Sequence, residues 1–210
     1  MKKLLTGERL CMSNFLAIDT SSRYLTVLAQ KGAAKKLIHI EDCAMKHSCV
    51  LMGEIGRALD AVKLTPAECD FFAAVTGPGS FTGIRIGIAT AKGFAVGVDK
   101  PVRAVTAFDL IAYNVNSENF YTVIDAAHGY YYVCGYGAGR AVTMPPAYIS
   151  RERAESLYPL FGTEQLDLKN YTRLNAGECL ETAVKNSADI SADALYALYV
   201  RKSQAEENRK

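Results

Sequence analysis

Two aspartates, Asp19 and Asp125, each close an apolar run and open a turn of small polar or small apolar residues. The first turn reads Asp19-Thr20-Ser21-Ser22 and the second Asp125-Ala126-Ala127-His128. Turn N–H groups can hold phosphate oxygens, and a carboxylate can hold a metal-bound water. Asp19, Thr20, Ser21 and Asp125 are therefore the candidate nucleotide-phosphate site, in a vestigial form. The plainer alternative is that both aspartates only cap their turns. A third feature is Thr76-Gly77-Pro78-Gly79-Ser80, which ends an apolar run and opens a long helix. Ser80 can cap that helix, and a helix N-terminus beside a glycine loop suits an anion. The stretch lacks the G-x-x-x-x-G-K-[ST] phosphate loop and the Rossmann glycine spacing, so a simple tight connection is equally open. Cys43, His47 and Cys49 lie close in sequence, but they fall short of the regular four-ligand spacing of a zinc site.

The two aspartates belong to an internal echo. Displaced by 106 residues, LAIDTSSRYLTVLA falls on TVIDAAHGYYYVCG with Ile, Asp, Tyr and Val in common. Each copy is a strand, a turn and a second strand, which points to a duplicated hairpin. Strands are expected at 15–18, 24–29, 36–40, 70–75 and 102–105, with a hairpin over 120–136. Leu51, Ile55, Ala58, Leu59 and Val62 recur on one helical face. Thr65-Pro66-Ala67-Glu68 has the form of a capping box. Further helices are expected at 107–115, 151–161, 176–186 and over SADALYALYVRKSQAEE. Strands 70–75 and 102–105 flank a helix, as in a parallel β-α-β unit on a mixed sheet.

That intervening helix, FTGIRIGIATAKGFAVGV, has two apolar faces. Ile84, Ile88, Ala91 and Ala95 form one; Ile86, Ala89, Gly93 and Val96 form the other. One face meets the sheet, and the second calls for another helix or another protein. Gly83 and Gly87 are four apart and suit close approach of a second helix.

Composition narrows the class. The chain has 210 residues, half of them hydrophobic, with 24 Lys and Arg against 22 Asp and Glu. It can bury a full core without staples. A net charge of +2 gives no strong basic field for nucleic acid. Six cysteines in a chain of this size read as thiols of a reducing, cytoplasmic setting. The apolar stretch behind Lys2 and Lys3 is too short for a signal peptide, and no run reaches the length of a membrane span. The expected division is a tail at 1–13, a lobe at 14–105 and a smaller lobe at 106–210. Tyr130-Tyr131-Tyr132 offers rings for base stacking, although alternating aromatics on a strand more often pack in a core. Arg151, Arg153, Arg201 and Lys202 could reach RNA phosphates, but they read more simply as solvated surface charges.

The segments LAIDTSS, VTGPGSFTGIRIGIATAKGFA, VIDAAHGYYY and YVRKSQAEE resemble the TsaB (YeaZ) branch of the family once labelled glycoproteases, over nearly all of residues 14–208. The resemblance implies an α/β fold of the actin-like ATPase (ASKHA) type, with two ribonuclease-H-like lobes of mixed sheet and flanking helices. It implies a role in forming threonylcarbamoyladenosine beside the tRNA anticodon. The TsaD-type subunit transfers the group there, and a TsaE-like ATPase joins through the complex. TsaD-like chains carry His-x-x-x-His where this chain has Ala107 and Ile111. The expected role is thus a non-catalytic subunit with no metal and no required cofactor, apart from a nucleotide shared at the partner interface. Its partner-facing residues would be His47, Leu51, Met52 and Ile55 on the first helix, and Gly83, Arg85, Ile86, Gly87 and Thr90 on the second. Alone the chain would form a homodimer, and tRNA would be met only through the complex. The alternative is a nucleotide hydrolase or glycoprotease-like peptidase acting alone.

Overall fold

A computed structural model describes residues 13–201. The expected tail therefore lies, save for its last residue, outside the described residues, as does the end of the expected last helix. Strands β1 (Phe15–Asp19), β2 (Leu25–Lys31) and β3 (Ala34–Ile40) form an antiparallel meander. Helix α1 (His47–Val62) returns the chain to β4 (Phe71–Val75), which pairs parallel to β1. Helix α2 (Phe81–Val98) then leads to β5 (Val102–Val105), parallel to β4. The capping box forms at residues 65–68: Glu68 accepts from the Thr65 N–H and hydroxyl at 2.9 and 2.8 Å.

After α3 (Ala107–Ala112) the plan recurs. Strands β6 (Phe120–Asp125), β7 (Tyr130–Tyr136) and β8 (Val142–Ser150) form a second meander. Helix α4 (Arg151–Glu155) is followed by β9 (Leu160–Gly162) and β10 (Tyr171–Arg173), which are parallel to β6 and to each other. The first sheet runs β11-β5-β4-β1-β2-β3 and the second β10-β9-β6-β7-β8. Leaving out β11, the order is the same in both, so the sequence echo is a duplicated lobe. This is the actin-like, ribonuclease-H-like architecture.

Strands β1 and β4 are buried along their full length because both sheet faces are covered. Leu16 and Ile18 pack toward α1 and α2, while Phe15 and Ala17 pack toward α3 and α5 (Ala176–Lys185). The second face of the sheet is thereby the seam between the lobes, where Phe120 and Ile124 of β6 join the same core.

Three expectations need correction. Residues 151–161 are helical only to Glu155, because Leu160 onward is a strand. The segment after Ser191 is a short 3-10 turn (Ala192–Ala194) and then irregular chain, not a helix. It fills the flank of α2 with Leu195, and the Leu198 N–H donates to the Thr76 carbonyl at 2.8 Å. The lobe boundary at 106 separates the two sheets, but the chain later returns: β11 (Asp189–Ile190) pairs antiparallel to β5 in the first sheet.

Candidate functional site between the lobes

The two duplicated turns face one another across a cleft of about 330 Å³. Ser21, Ser22 and Arg23 line one wall; Asp125, Ala126 and Ala127 line the other, with Gly79, Ser80 and Glu164 between. The glycine loop is what lets the first wall close. The Ser80 N–H donates to the Ser21 carbonyl at 2.6 Å. Gly79 has a φ of 155°, and a Cβ there would strike that same carbonyl. Only glycine meets both demands. Ser80 caps α2, its hydroxyl accepting from the Gly83 N–H at 3.2 Å.

Two of the four residues expected at a phosphate site turn inward. Asp19 is buried, and its Oδ1 accepts from the Ser21 N–H at 2.8 Å and the Ser21 hydroxyl at 2.7 Å. Burial raises the Asp19 carboxyl above its usual range, and the Ser21 donors offset part of that. Thr20 is wholly buried and donates its hydroxyl to the Gly83 carbonyl at 2.7 Å. It joins the turn to α2 and does not reach the cleft. Ser21 lines the cleft, and so does Asp125, which is exposed and accepts from the Ala127 N–H at 2.9 Å. Glu164, which no sequence pattern marked, sits behind Asp125 and accepts its N–H at 3.0 Å. Burial, with Asp125 and Asp19 adding repulsion, pushes the Glu164 carboxyl up to about 7. The cleft thus presents serine hydroxyls and Arg23 on one side, the Asp125 carboxylate on the other, and between them the Glu164 carboxyl, partly protonated near neutral pH. A phosphate would be held by the first and opposed by the second.

The expected partner-facing residues separate into two groups. Leu51 and Ile55 are buried in the core beneath α1, and His47 is buried with its Nε2 2.9 Å from the Tyr24 carbonyl oxygen. Gly83 and Gly87 do not receive a second helix. A Cβ on Gly83 would strike the Thr20 carbonyl, and one on Gly87 would lie 2.5 Å from the Thr20 hydroxyl. These five serve the chain's own packing. Arg85 leans toward the C-terminal segment, its Nε donating to the Tyr199 hydroxyl at 3.0 Å. Thr90 is half-buried and donates to the Ile86 carbonyl at 2.8 Å. Met52 is exposed, and Ile86 is half-buried and packs at the margin of the core beneath α1 and α2. Beside them the second apolar face of α2 is open: Ala89, Gly93, Val96 and Gly97 are all exposed.

Ala107 and Ile111 are both buried in α3. Among the described residues no group of three or more His, Cys, Asp or Glu is placed to hold a metal. Cys43 is buried and Cys49 exposed, and the ring of His47, which lies between them in sequence, turns toward the Tyr24 carbonyl. No helix of the described residues is long and apolar enough to cross a membrane.

The family described as "TsaD: tRNA N6-adenosine threonylcarbamoyltransferase" matches residues 27–197. The tRNA threonylcarbamoyladenosine biosynthesis protein TsaB of Buchnera aphidicola subsp. Schizaphis graminum is 32% identical over 99 residues, 46% of each chain. That of Bacillus subtilis is 31% identical over 99 residues, 47% of this chain and 43% of its own. The chain thus spans about half the length of the curated relatives it matches. The structure of YeaZ from Pseudomonas aeruginosa superposes with a TM-score of 0.74 at 22% identity, covering 90% of this chain and all of the other, so the two share a fold.

Proposed function

The chain belongs to the tRNA N6-adenosine threonylcarbamoyltransferase family, and from that premise we propose that it acts in threonylcarbamoyladenosine formation as a non-catalytic subunit that binds and supports a TsaD-type transferase. The likeness to TsaB proteins supports the pathway. The observation that carries the docking role is the outward side of α1 and α2. A Cβ added at Gly53, Gly93 or Gly97 would meet no atom within 4 Å. Exposed helical glycine costs stability and packs nothing within the chain. With exposed Met52 and Val96 these positions leave apolar surface on α1 and α2 that a partner helix can approach closely. The partner is the transferase in the complex and a second copy of this chain when it is alone. Buried Ala107 and Ile111 at the family's histidine positions support assigning the transfer chemistry to the partner.

In this reading the interlobe cleft is a vestigial phosphate site, with intrinsic nucleotide binding weakened by Asp125 and, as pH rises through about 7, by Glu164. No required cofactor is assigned to it, a cytoplasmic setting suits it, and a TsaE-like ATPase joins through the complex. The test is co-elution of the full-length chain with its TsaD-type partner. Gly93→Leu should abolish the complex and leave the melting temperature of the chain unchanged or higher. A complex that survives Gly93→Leu and Gly97→Leu together overturns the docking face. Phosphate release from ATP by the chain alone, stopped by Asp125→Ala, would overturn the non-catalytic role.

A further inference from the structure

The segment after Ser191 places Leu195 and Leu198 inward and Tyr196 and Tyr199 outward. Tyr196 is 73% exposed, an unusual position for a large ring beside a well-packed helix. Each outward ring lies next to a cation. Lys92 Nζ is 5.0 Å from the Tyr196 ring centroid. The Arg85 guanidinium lies 3.7 Å over Phe81 and 5.9 Å from the Tyr199 ring, and those two rings are 5.2 Å apart. Two residues on, the Arg201 guanidinium lies 4.8 Å over Tyr148, which stacks on exposed Tyr130 at 4.7 Å with 7° between the planes. The rings and cations alternate from the flank of α2 to the edge of the second sheet. From Tyr196 to Arg201 the chain reaches at most about 17 Å, the span of a few nucleotides.

Among the described residues neither Arg85 nor Lys92 forms an ion pair, so their charges are not neutralised by carboxylates. Exposed aromatic rings beside Arg85 and Lys92 are the chemistry of unpaired nucleic acid: bases stack on the rings and phosphates meet these two charges. We propose that this stripe, built by α2, the C-terminal segment and the Tyr130–Tyr148 pair, is a docking surface for RNA with unpaired bases. It deepens the proposed function and leans on its tRNA assignment, because it gives this subunit a direct hold on the RNA. Ala89 and Val96 share the side of α2 that carries Arg85 and Lys92, so the stripe borders the docking face, and what favours RNA over a protein here is unneutralised charge beside exposed rings.

The test uses the full-length chain and fluorescence anisotropy with a short labelled oligouridylate and an RNA duplex of equal length, over a salt series. The oligouridylate should bind more tightly than the duplex. Tyr196→Ala should weaken it about fivefold or more. Lys92→Ala and Arg85→Ala should each lower the slope of log affinity against log salt by about 0.7. Circular dichroism should show these variants folded; Tyr196 and Lys92 carry the test if Arg85→Ala loosens the C-terminal segment. Equal binding of both probes, no binding by the wild-type chain, or variants that bind as the wild type does would overturn the inference. Loss of TsaD-type partner binding in Tyr196→Ala, with RNA binding kept, would overturn it in favour of a protein contact. Variants that lose RNA but still co-elute with the partner separate this surface from the docking face.

Discussion

Glu164 accepts the backbone N–H of Asp125 at 3.0 Å, so the second cleft turn is held by a half-buried carboxyl just past the end of β9. That carboxyl titrates at about 7 in place of the usual 4.5. Its folded-state value is raised, so the native chain holds a proton that the unfolded chain has lost between those limits. The stabilisation is fully present below about 4.5 and is lost as pH rises through about 7. Glu164→Gln keeps an acceptor for Asp125 and removes the charge. It should melt higher than the wild type at pH 8, by an amount on the order of 3 kcal/mol at most, and the two should converge at pH 5. Thermal melts across that range check it, and parallel curves at all pH values would refute it.

The Thr20 side chain is a fastener for α2, its hydroxyl turned from the cleft to the Gly83 carbonyl. Thr20→Val keeps the buried shape and loses the 2.7 Å bond to the Gly83 carbonyl, which should cost about 1–2 kcal/mol. Gly83→Ala drives a methyl into the Thr20 carbonyl and should cost about 3 kcal/mol or more. For a chain of this size that is a drop of at least about 6 °C in Tm. Neither substitution should change RNA binding in soluble, folded protein.

Much of the architecture could be read from residue order, and the reasons differ by element. Strand β1 and the hairpin of β6 and β7 were legible because alternating or continuous apolar runs end at Asp and small turn residues. The cap at Ser80 and the capping box at Thr65 depend only on neighbours within three residues. Strands β9 and β10 are three residues each, too short to carry a period. The helix expected after Ser191 rested on Leu195, Leu198 and Tyr199 sharing a face. The tertiary bond from Leu198 to Thr76 outweighs that local pattern. The inward side of Gly83 and Gly87 could not be told from an outward one, since spacing gives a shared face and not its direction. Glu164 was invisible for a similar reason: its partner Asp125 is 39 residues away and on another strand.

The lobes are latched at Tyr24. Its hydroxyl accepts from the Gln165 N–H at 3.2 Å and lies 3.5 Å from Arg173 Nη2, which also pairs with Glu41 at 3.3 Å. Tyr24→Phe preserves the ring's edge contact with His39 and removes the acceptor. The expected loss is about 1 kcal/mol, with faster amide exchange concentrated at residues 163–173. Uniform acceleration through both sheets would show that the hydroxyl does not hold the lobes together.

Gly93 sets the chain's own stability against its docking. Nothing lies within 4 Å of a Cβ placed there, so Gly93→Ala removes the backbone penalty of a mid-helix glycine at no steric cost. The gain should be about 0.5–1 kcal/mol, a rise of roughly 1–4 °C in Tm. The same methyl stands in the path of a closely approaching helix, so partner affinity should fall as stability rises. A stable helix with weaker docking is the signature of a glycine kept for an interface. Should Gly93→Ala raise Tm and leave co-elution with the TsaD-type partner untouched, the glycine would have no bearing on assembly. The contact would then have to lie nearer Met52 on α1, where Met52→Asp offers the corresponding measurement.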